Sequence, residues 1–144
     1  MGSKKTKIVV IDGQGGRLGC LVTEKIKASD KLKNSEVFAL GTNSTATSAM
    51  MKSGADCGAT GENPVVVNSR DADFIVGPVG IVCADSLLGE VTDKMALAVG
   101  KSRAGKILIP VNKCSIHVAG ASDMSLSLLA EEAVNLIASL SSEA

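Results

Sequence analysis

The residues from which chemistry can be argued form one run, Gly13-Gln14-Gly15-Gly16-Arg17-Leu18-Gly19. It reads as G-x-x-G-x-x-G. The apolar stretch Ile8-Val9-Val10-Ile11 and then Asp12 lead into it, and Leu18, Leu21, Val22 and Ile26 continue from it at helical spacing. Glycines at such a strand-to-helix junction permit a tight turn, close approach of a phosphate to the backbone, and close packing of the helix. The free amides of the helix start then face the anion, with the positive end of the helix dipole behind them. The chemistry is backbone recognition of a phosphate-bearing ligand, and no reaction is specified by it. The candidate cofactor-binding residues are therefore Gly13, Gln14, Gly15, Gly16, Arg17, Leu18 and Gly19. The competing reading of the same residues is a packing turn that holds nothing.

Two neighbours modify the choice of ligand. Asp12 stands just before the loop, where a carboxylate repels a diphosphate unless it is turned away or bridged by a cation. After the second apolar run, Val37–Leu40, the chain has Gly41-Thr42-Asn43-Ser44-Thr45 rather than the acid that holds a ribose diol in dinucleotide-binding folds. Thr42 and Asn43 join the candidate cofactor-binding residues, and with Arg17 they favour NADP, or another nucleotide, over NAD.

Catalytic candidates are weaker. Asp12, Asp85 and Cys114 are the three side chains that could act. Asp85-Ser86 has no histidine near it in sequence, so helix capping competes with nucleophilic catalysis. Cys114 follows Asn112-Lys113 and would be a nucleophile only with a lowered pKa; a small buried thiol is the other reading. Lys113 could meet a phosphate or be solvated, and His117 reads as a strand residue rather than a base. A second glycine loop, Gly58-Ala59-Thr60-Gly61-Glu62-Asn63, could clasp a ligand from across a cleft or be a polar turn.

The elements that must position these residues alternate along the chain. Strands are expected at Lys7–Ile11, Val37–Leu40, Val65–Val67, Phe74–Val76 and Ile107–Ile109, with one more at Ser115–Val118. Helices are expected after Gly16, over Thr45–Ser53, over Thr92–Lys101, and along the stripe Leu126, Leu129, Ala130, Ala133, Val134, Ile137, Leu140. Gly54–Asn63 reads as turn-rich, and Val79–Glu90 as a strand edge or helical turn. Alternation of this kind predicts an α/β chain, a single Rossmann-like three-layer domain with a mostly parallel sheet. The domain spans 7–141, and 1–6 is a disordered tail or expression remnant. Right-handed crossovers place the ends carrying Gly13, Thr42, Gly77 and Asn112 on one edge, where ligands bind in open α/β sheets.

Composition narrows the partners. Fifteen basic and fifteen acidic residues cancel, and two Phe with no Tyr or Trp leave no stacking platform, so nucleic acid is not expected as a partner. Lys4, Lys5 and Lys7 read as a solvated tail. Cys20, Cys57, Cys83 and Cys114 are widely spaced and there is one His, so no metal site is expected. No apolar run reaches membrane-spanning length and no signal peptide precedes the first strand, which gives the expectation of a cytoplasmic protein with reduced thiols and no membrane partner. The expected ligand is a small phosphate-bearing molecule. The lack of a clear acid–base or nucleophile pair supports an alternative, a non-catalytic regulatory or scaffolding homo-oligomer.

Two resemblances bear on this. The glycine loop resembles the G-x-x-G-R-M-G loop of dihydrodipicolinate reductases, which implies that Arg17 and the glycines line a nicotinamide cofactor. It covers about twenty residues, and the His-His-Lys active-site stretch and substrate domain of those enzymes have no counterpart here. From about Lys7 to Ile137 the chain resembles a family of short bacterial proteins of unknown function. Ile11–Gly16, Leu40–Asn43, Gly58–Asn63 and Ala84-Asp85-Ser86-Leu87-Leu88-Gly89 carry that likeness. It implies a Rossmann-like fold and assigns no catalytic residue.

Overall fold

The computed structural model describes residues 4–111 and 115–143. Within them the chain alternates β1 (Thr6–Asp12), α1 (Arg17–Ala28), β2 (Ser35–Gly41), α2 (Ser44–Lys52), β3 (Cys57–Thr60), α3 (Glu62–Asn68), β4 (Phe74–Pro78), α4 (Asp93–Lys101), β5 (Gly105–Ile109) and α5 (Leu126–Ser142). The five strands make one sheet in the order β3-β2-β1-β4-β5, and every neighbouring pair is parallel. This is a Rossmann-like α/β domain, with the chain reversing direction across the sheet between β1 and β4.

Period-2 alternation sorts β1 onto two cores. Ile8 and Val10 face one layer with Leu18, Val22 and Ile26 of α1, Met50 of α2, and Ala130, Val134 and Ile137 of α5. Val9 and Ile11 face the other with Val65 of α3 and Met95 and Val99 of α4. Near-continuous apolar strands are what burial on both faces demands. Among the described residues no helix is long and apolar enough to cross a membrane.

Several expectations need correction. Val65–Val67 lies in α3, not in a strand. Pro64 sits in the first helical turn, where its missing N–H is not needed, and only Val65 of the three is fully buried. The strand expected there is β3, inside the segment read as turn-rich. It pairs with β2 from Phe38↔Cys57 to Gly41↔Thr60, and Gly58 admits the Met51 side chain of α2. Ser115–Val118 forms no strand. Val79–Glu90 opens as a 3-10 turn over Val79–Val82 and continues as a chain of turns. Lys7 is no solvated tail: its Nζ lies 2.6 Å from Asp71 and 4.4 Å from the Phe38 ring centroid. Asn112, Lys113 and the catalytic candidate Cys114 lie outside the described residues.

Candidate functional site

The carboxyl ends of β1 and β2 bring Gly13–Gly19 beside Thr42 and Asn43, as the topology requires. Gly16 is the N-cap of α1 at φ 76°, a conformation open to glycine, and a Cβ there would come within 2.8 Å of the Ala46 backbone of α2. Gln14 also takes a left-handed φ of 50°. Gly16 has no capping side chain, and Asp12 supplies the cap from beneath the loop.

Asp12 is 3% exposed. Its Oδ1 accepts from the Gly13 amide at 2.8 Å and its Oδ2 from the Gly19 amide at 2.7 Å. The carboxylate is thus turned away from any ligand, and it satisfies two amides that a phosphate could otherwise have used. Burial pushes its carboxyl above the usual range. The amides of Gly19, Gly13 and Leu18 oppose that shift, while the nearby Glu90 charge adds to it. These contacts make Asp12 a structural cap of α1; none of them gives it a partner for proton transfer.

The acid absent after β2 is supplied from elsewhere. Glu90, in the connection between β4 and α4, reaches over the glycine loop. One oxygen, Oε1, accepts from the Gln14 amide at 3.0 Å, Thr42 Oγ1 at 2.6 Å and Asn43 Nδ2 at 2.8 Å. Asn43 also caps α2 through Ala46 N and donates to Gln14 O, so it ties the two loops together. Gly13 is what lets this happen: a Cβ there would fall 2.8 Å from Glu90 Oε1 and 2.9 Å from Leu87 Cδ1. Desolvation pushes the Glu90 carboxyl up, but the donors Thr42, Gln14 and Asn43 outweigh it and hold the group below the usual range.

Sequence reasoning missed Glu90 because 76 residues separate it from Gln14. Its backbone setting is unusual. Asp85, Leu87 and Leu88 have φ of 66°, 55° and 56°, and Gly89 follows at 87°. Such φ values are uncommon outside glycine and strained for leucine. Leu87 is buried in the core while Leu88 is 92% exposed. Ser86 Oγ donates to Gly80 O, and the Asp85 amide donates to Val91 O at 2.7 Å, so the turn that delivers Glu90 is pinned at both ends. Asp85 and Ser86 cap no helix, and the Asp85 residue is exposed. The Gly58–Asn63 segment ends β3, where the Gly61 amide donates to Gly41 O, and Glu62 accepts from Thr92 Oγ1 at 2.7 Å.

What stays open is specific. The amides of Gly15 and Arg17 have no hydrogen-bond partner among the described residues. A Cβ on Gly15 would meet no atom within 4 Å, so the fold makes no steric demand for glycine there. Arg17 is exposed at the first helical position. Glu90 Oε2 accepts no hydrogen bond from the described chain. Two free amides and a guanidinium at a helix start, next to an anchored carboxylate oxygen, can take an anion and a hydroxyl side by side. Among the described residues no group of three or more His, Cys, Asp or Glu could hold a metal ion.

The two carboxylates respond oppositely to acid. A raised carboxyl such as that of Asp12 loses stability as pH climbs through its folded value; a lowered one such as Glu90 contributes stability above the ordinary Glu range and loses it as pH falls through its folded value. The gap in urea midpoint between the wild type and Glu90→Gln is therefore expected to be full at about pH 6 and above and to close below about pH 4. A gap that stays constant down to about pH 3 would contradict the assignment of Glu90 as an ionised acceptor.

The family model of the domain of unknown function DUF3842 matches residues 7–142. No curated protein matches the chain. Among solved structures, it is similar to a dodecameric FMN-dependent UbiX-like decarboxylase from Escherichia coli O157:H7, with 17% identity and a TM-score of 0.44 over 92% of this chain and 75% of that one. The family match spans the whole-chain resemblance, whereas the reductase resemblance stays confined to the glycine loop.

Proposed function

The chain belongs to the DUF3842 family, and we propose that it binds a nucleotide at the start of α1, with the phosphate on Gly15 and Arg17 and a ribose hydroxyl on Glu90. The observation that carries this is the pair of unpartnered amides, Gly15 and Arg17, beside a carboxylate anchored by Thr42, Asn43 and Gln14. The sequence favours a 2′-phosphate because no acid follows β2. Glu90 fills that place, and a phosphate there would meet a second negative charge. The reading therefore moves from NADP to a nucleotide with free ribose hydroxyls, such as NAD.

Thermal shift with NAD, NADH, NADP, NADPH, ATP and GTP tests the reading. A ligand at a hundred times its dissociation constant adds about 2.7 kcal/mol, which raises the midpoint by several degrees in a domain of this size. No shift with any of them at millimolar concentration sinks the proposal. Gly15→Ala separates folding from binding. The added methyl enters open space, so the unliganded midpoint is expected to stay or rise slightly, while the ligand-induced shift shrinks. A full ligand shift in Gly15→Ala would remove Gly15 from the site.

The second reading is a self-associating protein that uses the fold without turnover. It is favoured by Leu128, Leu136 and Leu140 of α5, which stand 50%, 49% and 38% exposed. A monomer with redox activity on NADPH and carbonyl substrates would rule it out.

A further inference from the structure

The turn that carries Glu90 is built from residues its backbone does not favour, and one of them does nothing for the fold. Leu87 and Leu88 take successive left-handed positions, φ 55° and 56°, where glycine or asparagine is preferred. Leu87 has a reason to be leucine. It is buried in the core with Val65 and Met95, and its Cδ1 lies 2.9 Å from where a Cβ on Gly13 would stand. Leu88 has no such reason. At 92% exposure it is the most exposed large apolar side chain among the described residues. Its place is fixed even so. The Gly89 amide donates to Asp85 O and the Glu90 amide to Leu87 O, both at 3.1 Å, so Leu88 is enclosed by two hydrogen-bonded turns. Glu90 follows two residues later, at most about 7 Å away along the backbone, and is itself tied to Gln14, Thr42 and Asn43. A strained apolar residue with no partner in the fold, held beside a polar anchor, is preorganised for contact with a ligand.

We infer that Leu88 is the seat of the nucleobase. The inference rests on the nucleotide reading above and assigns the part of the ligand which that reading leaves without a partner. With the phosphate on Gly15 and Arg17 and a ribose hydroxyl on Glu90, the base is joined to the same ribose and falls close to the Glu90 turn. The chain offers no aromatic platform there. Its two phenylalanines, Phe38 and Phe74, stand in β2 and β4 and pack against the two cores. An aliphatic side chain is left to cover a base face. Among the exposed large apolar residues described, Leu88 alone shares a turn with a residue bonded to the glycine loop. Contact of this kind is non-directional, so Leu88 supplies affinity for a base without selecting which one.

Two probes test this on the full chain: AMP, by calorimetric titration, and ribose 5-phosphate, which lacks the base, by its displacement of AMP. In Leu88→Gly the dissociation constant for AMP is expected to rise about tenfold, the effect of uncovering one leucine face. The constant for ribose 5-phosphate is expected to stay unchanged. The unliganded unfolding midpoint should hold or rise, because glycine accepts the left-handed φ. Leu88→Met keeps an apolar side chain and should retain AMP affinity within about twofold. A wild type that binds neither probe at millimolar concentration overturns the phosphate site and the base seat together. A wild type that binds AMP no tighter than ribose 5-phosphate, or a Leu88→Gly variant that keeps the full difference between them, overturns the base seat alone. Equal losses for both probes in Leu88→Gly would also overturn it, since they would make Leu88 a support for Glu90 rather than a contact of the base.

Discussion

Asp12→Ala is expected to lower the unfolding free energy by about 2–3 kcal/mol, from a lost helix cap of about 1 kcal/mol and buried amides left unpaired at about 1–3 kcal/mol. The amides are those of Gly13 and Gly19, which Asp12 holds at 2.8 and 2.7 Å. Relief of a buried charge opposes the loss, since burial alone pushes this carboxyl up. In a domain of this size the midpoint should fall by roughly 6–12 °C. Asp12→Asn keeps one acceptor and turns an NH2 toward the other amide, so it should lie between the two. Urea unfolding of the three proteins at neutral pH checks the order. A loss in Asp12→Ala within about 0.5 kcal/mol of zero, the size of an ordinary surface substitution, would contradict the capping role.

Replacement of Glu90 is expected to invert nucleotide preference. In the wild type a 2′-phosphate would be set against an ionised carboxylate, and like-charge juxtaposition of this kind costs several kcal/mol. Glu90→Ser removes the charge and leaves the Gln14 amide, Thr42 hydroxyl and Asn43 amide free to receive a phosphate. The ratio of NAD to NADP affinity should move at least tenfold toward NADP, which corresponds to about 1.4 kcal/mol. Calorimetric titration of both proteins with both nucleotides measures it. Equal ratios in wild type and variant would show that Glu90 does not face the ribose.

The fold was legible because its signals are local. The apolar runs before Gly13, Gly41 and Pro78 and the 3.6-residue stripe of α5 each set one element. Misreadings fell where packing overrides propensity. Val65–Val67 has the composition of a strand, yet Pro64 in a first turn and one buried valine out of three make it a short helix. Cys57–Thr60, rich in small residues, reads as a turn but closes the sheet edge because Gly58 makes room for Met51. The site was legible in half. The loop, Thr42 and Asn43 could be named from glycine spacing and chain order. Glu90 could not, since a bond across 76 residues depends on a turn of left-handed residues that no local pattern announces. A glycine-bearing turn ending in an acid, Gly89-Glu90, is the only trace it leaves in the sequence.

The central claim is that the free amides of Gly15 and Arg17 receive a phosphate. Amide resonances of nitrogen-labelled protein, followed during titration with AMP and separately with adenosine, test it most directly. The account predicts that Gly15 and Arg17 shift progressively with AMP and far less with adenosine, while the amides of Gly13 and Gly19, already bonded to Asp12, move little. Unmoved Gly15 and Arg17 resonances at millimolar AMP, or equal shifts with adenosine, would contradict it.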